Sequence, residues 1–176
     1  MRILLAAALV LAAALPAQAQ FKSYFDIGTL NITALKAPEW VRKVEENRIR
    51  YMCVDTQRCA LPTGIEIKGV VRGETLPEAF ENGALSPARL KAAGDARASL
   101  PGQAFVTAEP VTVAGVKGVH LEAEADVGGK LYYVTRWIGR GNRMLDVKVI
   151  ARDLKLAREL VETASAELVP QVFPPQ

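Results

Sequence analysis

Between Phe105 and Val169 the apolar and polar positions follow first a strand rhythm and then a helix rhythm. Val119, Leu121, Ala123 and Ala125 alternate with His120, Glu122 and Glu124; Leu145, Val147 and Val149 alternate with Asp146 and Lys148. A period of two marks a strand, because successive side chains leave opposite faces. Between these runs lies Lys130 to Ile138, KLYYVTRWI. Leu131, Tyr133, Thr135 and Trp137 share one face, and Tyr132, Val134, Arg136 and Ile138 the other. Aromatic and β-branched bulk on both faces predicts a central strand covered on both sides. Asp126-Val127-Gly128-Gly129 and Gly139-Arg140-Gly141-Asn142 supply the positive φ of tight hairpins. The expected result is an antiparallel meander over 119–151.

The rhythm then changes. Asp153 suits an N-cap, and Leu154, Ala157, Val161, Ala164 and Leu168 recur at spacings of three and four. This predicts an amphipathic helix that Pro170 stops, with a loosely held tail over 170–176. Its apolar stripe must be buried, and the sheet is the available surface.

The earlier chain reads less sharply. Ile49 to Val54 and Ile65 to Val71 are expected strands, and Tyr24 to Ile32 is expected to hold a short one. Ala37 to Trp40 is a turn entering a strand, with Trp40 at the core edge. Thr75 to Asn82 and a stretch from Ser86-Pro87 read as short helices. In the second, Ala88, Leu90, Ala92 and Ala93 lie mostly on one face. Phe105 to Ala114 is extended, with Pro110 marking an edge or bulge. The fold class is α+β: an antiparallel sheet covered by helices.

Composition adds an address. Met1 to Ala19 reads as a secretory signal peptide: Arg2, an uncharged apolar run over Ile3 to Leu15, and Ala17-Gln18-Ala19 at the cleavage point. The run is too short for a membrane span, which needs about 20 residues. Residues 20–176 then form one exported domain, periplasmic in location. The formal charge is +3 over 176 residues, and losing Arg2 lowers it further. So balanced a charge gives no reason to expect nucleic acid. No second run reaches spanning length.

Export places Cys53 and Cys59 in an oxidising compartment, where a disulfide persists. A chain reversal near Thr56 would bring them within bonding range. A redox pair would show a C-x-x-C spacing beside a helix start, which this chain lacks. With one histidine and no further cysteine, no metal site and no cofactor are expected.

The commoner catalytic patterns are absent. No serine sits in G-x-S-x-G, and no P-loop, zinc-protease or dinucleotide-binding motif occurs. His120, Glu122 and Glu124 share a strand face and form the one grouping a ligand carrier or small enzyme could use. The bland reading is a hydrogen-bonded surface histidine. Arg136, Arg140 and Arg143 gather around one hairpin and are the expected recognition surface, since guanidinium groups suit carboxylates and phosphates. Their alternative is a solvated turn.

The order of elements resembles the PsbP-like fold group, which includes extrinsic photosystem II subunits and periplasmic DcrB-like proteins. The matching pieces are Pro38-Glu39-Trp40 entering a strand, Val111-Thr112-Val113-Ala114-Gly115, the meander Val119 to Ala151, and the helix Leu154 to Leu168. The resemblance implies an α/β/α sandwich and a binding or assembly role without catalysis. No site residue is carried over from it. The function expected is therefore a non-enzymatic periplasmic binding or assembly protein acting on another protein. The alternative is a small enzyme or ligand carrier with a site near His120.

Overall fold

The computed structural model describes residues 23–74, 78–79, 83, 86–95 and 104–175. The leader expected over 1–19 lies outside them, as does most of the helix expected over 75–82. The strands are β1 (Ser23–Tyr24), β2 (Trp40–Glu45), β3 (Arg48–Cys53), β4 (Gly64–Val71), β5 (Ala104–Val113), β6 (Val116–Asp126), β7 (Lys130–Arg140) and β8 (Arg143–Ala151). The described helices are α1 (Pro87–Asp95) and α2 (Leu154–Val172).

All the described strands join one antiparallel sheet in the order β2-β3-β4-β8-β7-β6-β5, with β1 paired to the end of β4. The chain leaves β4 in mid-sheet, crosses to the far edge at β5, and returns as the meander β5 to β8. β8 then closes against β4, with Ile67 opposite Val147. β7 is interior and has both neighbours, as its two apolar faces demand. Pro110 sits on β5, an edge strand, where its missing N–H breaks no ladder bond.

Each face of the sheet has its own cover. On one, Val134, Ile138, Leu145, Val147 and Val149 pack under Ala157, Val161, Ala164 and Leu168 of α2. Asp153 caps that helix by accepting from the Leu156 N–H at 3.0 Å. The same core takes in Ile27, Leu30 and Ile32 from the segment after β1. Gly69 makes room for that segment, because a Cβ there would stand 2.7 Å from Ile27 Cγ2 and 2.9 Å from the Phe25 carbonyl. Tyr51 anchors it: its buried hydroxyl accepts from Ile32 N at 3.1 Å and donates to Asn31 Oδ1 at 3.0 Å. On the opposite face, Leu90 of α1 packs with Ala108, Val119, Leu121 and Met144. Helix, sheet and helix thus make the expected α/β/α layering.

Two expectations change. α2 does not stop at Pro170 but runs to Val172. Val169, Val172 and Phe173 are buried there, so the tail is held. Proline costs little this late, since only one further turn depends on the hydrogen bond it removes. The strand expected within 24–32 shortens to β1, because the rest of that segment runs irregularly under the core. Trp137 is partly buried and packs beside Val119 and Leu121, on a strand face that the second core covers.

Cys53 and Cys59 are disulfide-bonded, with Cα atoms 6.3 Å apart. Cys53 ends β3, opposite Trp40, whereas Cys59 lies in the loop that follows. The loop is shaped by Asp55. Its side chain accepts from Gln57 N at 2.8 Å, and its carbonyl accepts from Cys59 N at 2.9 Å.

Candidate functional site

The polar face of β6 does not meet open solvent. It turns toward α2, because Val119, Leu121, Ala123 and Ala125 fill the opposite face. Register then lines up residues that the sequence scatters. Glu109 lies opposite His120, and His120 opposite Arg136, giving a row across β5, β6 and β7. The next row holds Thr107 opposite Glu122. α2 packs mainly on β8 and β7. Its flank therefore overhangs these rows and leaves a cleft of about 350 Å³, with Arg158 and Glu162 as the helical wall.

Glu122 is the centre of the network. It is 3% exposed. Arg158 grips it with two bonds, Nε to Oε1 at 2.7 Å and Nη2 to Oε2 at 2.8 Å. Such paired, charge-assisted bonds fix geometry as well as charge. The guanidinium beside it holds the Glu122 carboxyl below the usual glutamate range, against the opposing effect of burial, with His120 adding to the lowering.

An ionised Glu122 can only accept. His120 Nε2, 2.9 Å from Glu122 Oε1, must then carry the proton. In the neutral ring this leaves Nδ1 with a lone pair, which accepts from Arg136 Nε at 3.4 Å. Both ring nitrogens are thereby engaged. Arg136 is half-buried, and burial lowers its basicity while the charge of Glu162 raises it. Among the described residues its terminal nitrogens have no hydrogen-bond or ion-pair partner. A guanidinium oriented through Nε, with its far edge free, is suited to receive an anionic group end-on.

Folded-state ionisation of Glu122 gives a pH prediction. A lowered carboxyl stabilises the fold above its unfolded value, near pH 4.5, and the gain is lost as pH falls through the lower folded value. Urea unfolding followed from about pH 7 to pH 2 should show a shallower acid decline for Glu122→Gln than for the native chain. Equal slopes would mean that Glu122 is not held ionised by Arg158.

The arginines expected at the hairpin are separated. Arg136 and Arg140 lie four residues apart on one strand face, about 13 Å. Arg140 donates to the Pro174 carbonyl at 2.9 Å. Arg143 stacks on the Phe25 ring, 4.3 Å from its centroid. The double variant Arg140→Ala, Arg143→Ala is expected to lose about 1 kcal/mol or less, since exposed polar and cation–π contacts contribute little. Chemical denaturation checks it. Of the other sequence candidates, Glu122 joins His120, while Glu124 pairs with Lys130 at 3.1 Å instead. No group of three metal-ligating side chains occurs among the described residues.

Arg158, Glu162, Glu109 and Thr107 were not candidates from sequence. Arg158 and Glu162 read as the solvent side of an amphipathic helix, and only the lateral offset of α2 turns them over the sheet. Their four-residue spacing, which puts them on one helix flank, was the available signal.

No family model and no curated protein matches the chain. Solved structures do resemble it. A Bacteroides thetaiotaomicron protein is 10% identical over 70% of this chain, with a TM-score of 0.45. This chain spans only 39% of that protein's length. A Pseudomonas aeruginosa protein of unknown function is 14% identical, covering 78% of this chain and 99% of its own, with a TM-score of 0.45. The Saccharomyces cerevisiae Ran-binding protein Mog1p is 12% identical, covering 77% of this chain and 82% of its own, with a TM-score of 0.40. Likenesses this distant assign no residue of the cleft a role.

Proposed function

We propose that this chain is an exported, non-catalytic binding protein whose recognition site is the cleft beside α2, with Arg136 as the anchor for an anionic group. The observation that carries the reading is the free terminal edge of Arg136, held in place through His120 by the buried Glu122, itself gripped by the exposed Arg158. Preorganised donors of this kind bind without first losing side-chain freedom. A volume of about 350 Å³ is near the lower end for small-molecule sites. It suits a small ligand better than the face of a partner protein, and so shifts the reading from an assembly factor toward a ligand carrier.

Catalysis is disfavoured by the state of His120. With Nε2–H donating and Nδ1 accepting, no ring nitrogen is left to take a proton from a substrate. Export is supported by the leader-like residues 1–19 and by the Cys53–Cys59 bridge, which persists in oxidising compartments. No described helix is long and apolar enough to cross a membrane. Kinship with the PsbP-like group is supported by element order and by the α/β/α layering.

The test follows the arginine directly. Titration of the ¹⁵N-labelled protein with acetate and with inorganic phosphate should shift the Arg136 Nε–H and His120 ring signals saturably, and Arg136→Gln should abolish the response. Saturable shifts confined to Arg140 and Arg143, or none anywhere, would contradict the proposal.

A further inference from the structure

We infer that the cleft takes a zwitterion: a small molecule whose anionic group meets Arg136 and whose cationic group meets Glu109 and Glu162. This rests on the cleft being the recognition site, and deepens it by fixing the class of ligand.

The charge pattern is the reason. Glu122 and Arg158 neutralise each other through their paired bonds. What remains is one arginine, Arg136, and two carboxylates, Glu109 and Glu162, with the His120 ring between. Neither carboxylate has an ion-pair partner among the described residues, and both are exposed at the rim. A simple anion would still bind at Arg136, but more weakly, because two unfavourable charges stand near it. A simple cation would be drawn to the carboxylates but would have Arg136 beside it. Only a ligand carrying both signs can satisfy the three together.

The positions agree with this. Glu109 stands in the same sheet row as His120 and Arg136, one strand further out. Glu162 comes from α2, close enough to raise the basicity of Arg136 yet without an ion pair to it. The cation and the carboxylates therefore line one cleft without an ion pair among them. Pro110 and Val111 give that cleft an apolar border, and Thr107 adds a hydroxyl. A short uncharged segment between two opposite charges fits such a lining.

The test uses the full exported domain and three probes of one size: alanyl-alanine, its N-acetyl form, which is only an anion, and its amide, which is only a cation. Calorimetry should find the dipeptide bound tighter than either blocked form by about tenfold or more, as each blocked end forfeits a charge-assisted contact. Glu109→Gln with Glu162→Gln should bring the dipeptide and its N-acetyl form close to equal affinity. If the N-acetyl form binds the native protein as tightly as the dipeptide, the zwitterion is overturned while the anion site on Arg136 stands. If none of the three binds and the Arg136 signals do not move, the zwitterion and the cleft reading both fall.

Discussion

Leu168→Ala should destabilise the protein by about 2–5 kcal/mol, the range for emptying a fully enclosed leucine site. Leu168 is wholly buried in the core between α2 and the sheet. The loss has two parts, the transfer of the missing methyl groups and the cavity left behind. The second should be large here, because the next turn of α2 contains Pro170 and already lacks one backbone hydrogen bond. The helix end cannot easily shift to fill a void while Val172 and Phe173 are pinned in the same core. Urea unfolding gives the magnitude, and hydrogen exchange should show the end of α2 losing protection first. A loss below about 1 kcal/mol would mean that α2 is not seated on the sheet.

Replacing both Cys53 and Cys59 with serine should cost about 2 kcal/mol, the chain-entropy value for so short a loop. The bond closes a separation of six residues. Asp55 already organises the same loop through Gln57 N and Cys59 N, so part of the order should survive without the bridge. A reductant should reproduce the effect of the double substitution. Rapid, selective reduction with no change in stability would instead identify the pair as redox-active.

The fold was largely legible, and the reason is specific. β6, β7 and β8 carry clean period-two patterns with glycine-rich turns between them, and α2 carries a three-four stripe after a capping aspartate. These are local signals, and each names its own partner surface. The segment after β1 was harder, because Ile27, Leu30 and Ile32 reach the core without a regular period. The site was the least legible part. The alternation marks His120 and Glu122 as a polar strand face, not as the floor of a cleft. Whether that face meets water or a helix flank depends on where α2 settles, which no local pattern encodes. Arg136, Arg140 and Arg143 gather in sequence because a hairpin joins them. In space they are divided by strand length and by their separate contacts with Pro174 and Phe25.

Arg136 as the anchor is tested most directly by one comparison: calorimetric affinity for alanyl-alanine of the native protein, Arg136→Gln, and the double variant Arg140→Ala, Arg143→Ala. Loss of a charge-assisted contact predicts about a tenfold or greater fall for Arg136→Gln, with its melting temperature retained. The hairpin variant should bind like the native protein. Unimpaired binding by Arg136→Gln, with loss in the hairpin variant, would rule out Arg136 as the anchor and move recognition to the turn.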